Sequence, residues 1–349
     1  MQYYDKLNTV LKNSLSDPKL QYQLKYFDEI TKLTRIIIDS TPILSIKNYS
    51  SPLPLNESIK TVLNFFYYIN PEYAYMFQNV LEEKNIYNGN EDYSIRFHKI
   101  EDGKRNNSKV SSNGEVHIEY SETLDDIFTI GHEITHKFSQ QKDQDSTIKQ
   151  FLGETSTITI EFLLQDYLLE NTEYDSNELT TRKNNRLIET YDDAGAILFE
   201  NILLDLYQKN NNCITQEILL DYLNSLDKNS KIYKILSTRG EKYLSDIVNS
   251  GSLQFNRRQR YVIGTLLASD FHIKIKENPE RISELFSLID ILGHTDLSAE
   301  SDLKILSNSS IPIINDNKII ASENDITRLL NGYIKEVNDI INQQEKHTM

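Results

Sequence analysis

The sequence predicts a mainly α-helical protein with a small antiparallel β-sheet next to one amphipathic helix. Three observations carry that expectation. Apolar residues recur at three- to four-residue spacing over most of the chain, the mark of helices with one buried face. One short stretch, Val116-His-Ile-Glu-Tyr120, alternates apolar and polar residues instead, the period of a half-buried strand. The helix expected immediately after it carries His132-Glu133-x-x-His136, a spacing that puts both imidazoles on one face.

Residues 1–48 place Leu7, Val10, Leu11, Leu20, Leu24, Phe27, Ile30 and Leu33 at helical spacing, enough for two or three helices. Ile36-Ile37-Ile38 fits either a helix end or a strand. Ser50–Pro54, with two prolines, is a break. It divides an N-terminal helical segment, residues 1–50, from a larger domain, residues 51–349, that contains the histidine pair, unless the two form one continuous domain. Asn56–Ile86 returns to helical spacing, divided at Pro71, with Tyr73, Tyr75 and Phe77 as packing residues. Tyr93–Ile100 and Gly114–Tyr120 read as strands, and Gly103 and Asn113-Gly114 mark turns between them. Leu124–Gln140 is the amphipathic helix, with Thr123 and Asp126 as a capping pair at its start. A polar loop is expected over Gln141–Thr147, then Gly153 and a helix over Glu154–Leu168. From Thr190 onward the pattern is helical, with breaks near Asn210, Gly240, Gly251, Pro279 and Pro312.

Two neutral imidazoles four residues apart on a helix can grip one zinc ion, leaving room in its tetrahedral shell for a third ligand and a water. Glu133 flanks that position, where a carboxylate serves as general base. Glu154 lies 18 positions beyond His136 (154 − 136), and a loop–helix return brings its carboxylate back to complete the site. Asp143 and Asp145 compete for that role, and Glu154 also reads as a solvated acid at a helix start. Glu161, seven residues on, shares its face and suits a hydrogen bond to a ligand histidine. His98 and His117 are further candidate ligands, although isolated strand histidines are more often surface or packing residues. The expected cofactor is one Zn2+ per chain.

Composition narrows the function. Apolar residues make up 38% and charged residues 26% of the 349 positions, the balance of a folded globular chain. A formal net charge of −15 disfavours nucleic-acid partners. No run approaches the roughly 18 apolar residues of a membrane span, and the opening residues lack the basic and apolar regions of a secretory signal. One cysteine, Cys213, forms no intrachain disulfide, which fits a reducing compartment; the cytoplasm is the expected location.

The run Tyr120-Ser-Glu-Thr-Leu-Asp-Asp-Ile-Phe-Thr-Ile-Gly-His-Glu-Ile-Thr-His136 resembles the strand-and-helix signature of the thimet oligopeptidase and oligoendopeptidase F family of zinc metallopeptidases. Gly153-Glu-Thr-Ser-Thr-Ile-Thr-Ile-Glu161 resembles that family's Ala-Glu-x-x-Ser-x-x-x-Glu run. Pro52–Lys84, containing Asn70-Pro-Glu-Tyr73, resembles its helical lead-in, Ala194–Tyr207 its long downstream helix, and Tyr261-Val-Ile-Gly264 its Tyr-x-x-Gly element. The resemblance spans roughly residues 50–300. It implies a helical zincin-type fold, zinc on His132, His136 and Glu154, Glu133 as base, and Tyr261 as donor to the transition-state oxyanion. It also implies that Gly114–Tyr120, with Gly114, Val116, His117 and Ile118, is the edge strand to which a peptide substrate adds.

The chain departs from the family pattern at three points. Typical members are much longer at the N-terminal side, where a helical domain narrows the cleft and restricts substrates to short peptides. The glycine between the histidines is Thr135. The histidine that usually precedes the tyrosine has no counterpart in Gln254–Arg260; either an arginine such as Arg257 substitutes as donor or catalysis is weaker. The expected activity is zinc-dependent cleavage of peptides; the alternative is a catalytically weakened member that binds peptides without cutting them.

Overall fold

Helical spacing in the sequence becomes helix throughout the computed structural model, which describes residues 2–17, 27–41, 50–87, 90–100, 108–111, 114–139, 147–294 and 328–338. The first two helices are α1 (Gln2–Ser16) and α2 (Phe27–Ser40). The ambiguous isoleucine run is helical: Ile37 and Ile38 face the core and Ile36 is exposed. Ser50–Pro54 is extended as its prolines require, and α3 (Leu55–Ile69) and α4 (Pro71–Glu82) follow. They divide at Asn70, whose side chain accepts the Glu72 N–H at 3.0 Å and caps α4 with proline in its first turn. The helical spacing expected up to Ile86 ends sooner, because Lys84–Tyr87 forms strand β1 with β2 (Asn90–Tyr93).

The sheet beside the helix that carries His132 and His136 has three strands, β3 (Ile95–Lys99), β4 (Lys109–Val110) and β5 (Val116–Tyr120), in the order β3-β5-β4. It is mixed rather than antiparallel. β5 runs parallel to β3, with Ile95 opposite Val116 and Lys99 opposite Tyr120, and antiparallel to β4. The expected turn at Gly114 exists, but it joins β4 to β5. Gly114 has φ 90°, a conformation open to glycine, and its N–H donates to Ser111 O at 2.9 Å. The residues between β3 and β5 leave the dozen or so that a parallel crossover needs, and β5 inserts between the other two strands.

The remaining helices are α5 (Asp125–Phe138), α6 (Thr147–Asn171), α7 (Ser176–Lys209), α8 (Gln216–Ser225), α9 (Lys231–Ser250), α10 (Phe255–Glu277), α11 (Ile282–His294) and α12 (residues 328–338). Gly240 lies inside α9, whereas Gly251 ends it in the left-handed conformation, φ 68°. Pro312 lies outside the described residues. Among the described residues no helix is long and apolar enough to cross a membrane.

Helix α6 is the centre of the core, and α5, α7, α10 and α11 all pack on it. Its stretch Thr155-Ser-Thr-Ile-Thr-Ile160 is wholly buried. Hydroxyl side chains tolerate this because they donate to their own helix: Thr155 to Phe151 O (2.8 Å), Ser156 to Gly153 O (2.8 Å), Thr157 to Glu154 O (3.0 Å) and Thr159 to Thr155 O (2.7 Å). Small residues there let neighbouring helices approach closely. Another buried carboxylate fixes α10: Glu200 of α7 accepts the N–H groups of Gln254 (2.9 Å) and Phe255 (2.7 Å) at its N-terminus. Burial nevertheless holds the Glu200 carboxyl up at about 7.

A buried charge cluster joins the far ends of the same helices. His272 of α10, fully buried, bonds Glu336 of α12 through Nδ1 (2.6 Å) and Asp166 of α6 through Nε2 (2.8 Å), and Lys183 of α7 pairs with Glu336. Two carboxylate acceptors require both ring nitrogens to donate, so His272 is an imidazolium here. Burial works against that charge, but Asp166 and Glu336 outweigh it and raise the His272 pKa. Burial likewise opposes the Glu336 anion, and His272 and Lys183 overcome it, down to about 2. The sign of each contribution follows. The Glu336 part is complete above the unfolded carboxyl value, about 4.3, and is lost as pH falls through its folded value. The His272 part is complete below the unfolded imidazole value, about 6.5, and is lost as pH rises through its raised folded value. His272→Gln is therefore expected to cost most between about pH 4.5 and 6.5. Denaturant melts over a pH series should show the gap between wild type and variant narrowing at alkaline pH; a constant gap up to pH 9 contradicts the imidazolium assignment.

Candidate metal centre

The start of α5 is fixed before its histidines are. Asp126 accepts the backbone N–H groups of Ser121 (3.0 Å) and Thr123 (3.1 Å), one half of the expected capping pair. The other half does not form, since the Thr123 hydroxyl bonds Ser121 instead. The extended segment before α3 lies alongside, with Leu53 N–H on Glu122 O (2.8 Å) and Leu124 N–H on Ser51 O (3.0 Å). Ile127, Ile130 and Ile134 bury the opposite face of α5, and its Gly131 packs against Leu164 of α6. Thr135 is fully buried and its hydroxyl donates to Gly131 O at 2.8 Å, so the helix accommodates it.

His132 and His136 then stand at the surface of α5 that faces α6, ring centroids 4.7 Å apart. Glu154 comes back to meet them. Its Oε2 lies 3.7 Å from His132 Nε2 and 3.8 Å from His136 Nε2. Among the described residues these three side chains form the group able to hold a metal ion, their donor atoms all within 4.8 Å of one another. Gly153 does not begin the helix as expected. α6 starts at Thr147, which sets Glu154 well inside it and only 3% exposed, so it is not a solvated terminal acid. Asp143 and Asp145 lie outside the described residues.

Glu161 holds the first imidazole. His132 Nδ1 and Glu161 Oε1 are 2.7 Å apart, Arg186 Nη2 bonds the same oxygen, and Arg182 Nη2 lies 3.6 Å from Oε2. Burial opposes the anion, but Arg186, His132 and Arg182 hold its carboxyl far below the usual range. With Glu161 ionised, Nδ1 is the donor and Nε2 faces Glu154, the arrangement a ligand histidine needs. Glu154 is also held ionised, down to about 2, as His136, His132 and Arg260 overcome its burial.

A cation fits this donor set. Glu154 Oε2 and Glu133 Oε2 are both buried with no hydrogen-bond partner, an arrangement costly to leave uncompensated. Burial first, then the charges of Glu154 and Glu161, push the Glu133 carboxyl up against the pull of the imidazoles. His132 is raised too, burial being outweighed by Glu161, Glu133 and Glu154. The Glu133 shift reports burial, and the His132 shift reports the negative charge gathered around the imidazoles, which a bound divalent ion relieves.

The group opens into a cleft of about 460 Å³ lined by His132, Glu133, Glu161, Arg186, Tyr261 and Ser108, among others. A second cavity of about 460 Å³ shares Asp192, Asp193, Lys242, Arg257 and Tyr261 with it, so the cleft continues past Tyr261. The structure therefore gathers His132, Glu133, His136, Glu154, Glu161 and Tyr261 in one place. None of the described residues lining that cleft comes from β5. β5 is the middle strand rather than the edge: β3 covers its whole length on one side and β4 covers Val116 and His117 on the other. Val116 and Ile118 are fully buried, His117 stacks on His98 with centroids 6.0 Å apart, and Gly114 O accepts from Lys137 Nζ at 2.8 Å. The outer strand on the cleft side is β4, preceded by Ser108.

Sequence reasoning missed two arginines and left open which member of the 257–260 run matters. Arg182 and Arg186, four apart on α7, share a face toward Glu161. In the Arg257–Arg260 run, Arg258 pairs with Asp193 (3.1 Å) and Asp246 (2.9 Å), and Arg257 is exposed. Arg257 lines the cleft, but it is Arg260 that contacts the site side chains: Nε lies 3.5 Å from Glu154 Oε1 and Nη2 bonds the Tyr261 hydroxyl at 3.1 Å.

The fold has solved counterparts. A Chlamydophila abortus protein assigned as a peptidase superposes with TM-score 0.53 at 17% identity, over 97% of this chain and 55% of that one. PZ peptidase A with an inhibitor superposes with TM-score 0.58 at 13% identity, over 91% of this chain and 58% of that one. The chain spans little more than half the length of either. No family model and no curated protein sequence matches it.

Gly264 sets how near α10 comes to the third carboxylate. A Cβ added there would lie 2.7 Å from Glu154 Cβ and 3.2 Å from Glu154 C. Only glycine allows α10 to cross α6 at this point, one turn from Tyr261. Gly264→Ala is expected to cost about 1–3 kcal/mol by overpacking and to weaken metal retention, since relief requires Glu154 to move. Urea midpoints and metal titration check both effects; a variant unchanged in both refutes the contact.

Proposed function

We propose that this chain is a zinc-dependent endopeptidase or oligopeptidase related to the thimet oligopeptidase and oligoendopeptidase F family, with Glu133 as its general base. One observation carries the reading: two imidazole Nε2 atoms and an unpartnered buried carboxylate oxygen meet beside a second unpartnered carboxylate, in a cleft that also contains a tyrosine. The fold shared with peptidase structures supports it, as does the motif order from residue 120 to residue 264.

His132, His136 and Glu154 would hold one zinc ion, with Glu161 fixing His132. When bound, zinc supplies Lewis acidity toward the scissile carbonyl and the attacking water. The protein's own groups do the rest. Glu133 takes the proton of the water as its oxygen bonds to the carbonyl carbon, and delivers it to the amine nitrogen as the carbon–nitrogen bond breaks. The Tyr261 hydroxyl donates to the oxyanion formed between those steps, a role worth on the order of 10²–10³ in rate. A peptide backbone is assigned to the side of the cleft bordered by Ser108 and β4, because β5 is already paired.

Glu133→Gln is expected to retain one zinc per chain while cleavage of a mixed peptide library falls by roughly 10²–10⁴-fold. His132→Ala is expected to lose the zinc, and a chelator to abolish wild-type cleavage. Metal analysis with mass-spectrometric product mapping reads all three. Chelator-resistant cleavage, or an active Glu133→Gln, contradicts the mechanism; stoichiometric zinc with no cleavage under any condition favours a peptide-binding protein.

A further inference from the structure

We propose that Arg260 is a positioning residue that orients the Tyr261 hydroxyl and ties it to the third ligand carboxylate, an inference resting on the peptidase reading above. One guanidinium touches both. Its Nη2 lies 3.1 Å from Tyr261 Oη, its central carbon 4.9 Å from the Tyr261 ring centroid, and its Nε 3.5 Å from Glu154 Oε1.

Donor chemistry fixes the direction of the first contact. Arginine has donors and no acceptor, so the phenolic oxygen accepts from Nη2. Its own hydrogen is then free to be given elsewhere, and Tyr261 lines the cleft shared with His132 and Glu133. A bond received from a cation also draws electron density from the oxygen and strengthens its O–H as a donor. The guanidinium over the ring limits the rotation of the side chain.

The contact with Glu154 divides that carboxylate. Oε1 lies against Arg260 and Oε2 against the two imidazoles, so one oxygen is directed at the metal position. Three nearby arginines pair elsewhere, Arg258 with Asp193 and Asp246, and Arg186 and Arg182 with Glu161; Arg257 lines the same cleft as Tyr261, but the bond to the Tyr261 hydroxyl comes from Arg260. Arg260 thus fills the place for which the sequence offers no histidine, acting through Tyr261.

The test uses the full-length zinc-loaded chain with Arg260→Gln, Arg260→Lys, Tyr261→Phe and the Gln/Phe double variant. Arg260→Gln should lower kcat on an internally quenched peptide by on the order of tenfold, the scale of one hydrogen bond to a charged group, with KM within about twofold. Arg260→Lys should recover part of that loss. The double variant should be no slower than Tyr261→Phe alone. Additive losses, or full activity in Arg260→Gln, overturn the proposal. A readout independent of turnover separates its failure from failure of the peptidase reading. The ¹³Cζ resonance of Tyr261, assigned by its disappearance in Tyr261→Phe, should shift in Arg260→Gln. An unshifted resonance overturns the proposal even in a protein that cleaves nothing.

Discussion

Two carboxylates, Glu154 and Glu161, sit seven residues apart on a helix walled in by its neighbours, 3% and 5% exposed. Isolated anions at such positions cost far more than a domain's whole stability margin. The surrounding chain therefore has to supply positive charge or protons. Arg182 and Arg186 come from α7, Arg260 from α10 and two imidazoles from α5. Around Glu161 the supply is complete. Around Glu154 it is incomplete, and the oxygen left over points between the imidazoles. That asymmetry separates the acid already compensated from the acid left able to take a cation.

Backbone proximity makes this economy work. Gly131 brings α5 onto Leu164 of α6 and Gly264 brings α10 onto Glu154, while the threonines and serines of α6 keep its girth small and satisfy their own hydroxyls. Glu200 fixes the first turn of α10 to α7, and the cluster of His272, Asp166, Glu336 and Lys183 fixes the distal part. Tyr261 lies between those two anchors on one continuous helix.

The helices were legible because burial imposes a period, and the pair His132/His136 because a helix converts spacing into direction. Glu154 was legible from its distance along the chain. The sheet was legible as strands but not as a topology: alternation in Val116–Tyr120 records which side chains face the core and carries no information on which neighbour runs parallel. Gly153 and Gly240 resemble breaks in sequence yet lie inside helices, where packing overrides their weak propensity. The roles of Arg182, Arg186 and Arg260 depend on helices meeting at a distance, and a basic run such as residues 257–260 does not reveal which arginine turns inward.

The crossing of α5 and α6 has a consequence for assembly. The three prospective ligands fall between residues 132 and 154, on an αα-hairpin whose closure costs little chain entropy. Tyr261 joins them only after more than a hundred further residues have docked. On the proposed reading the three metal donors belong to the hairpin, with α10 bracing Glu154 through Gly264 and Arg260, whereas the oxyanion donor belongs to the helical body as a whole. Partial unfolding from the C-terminal side would therefore withdraw Tyr261 first and leave the hairpin's three donors together for longer.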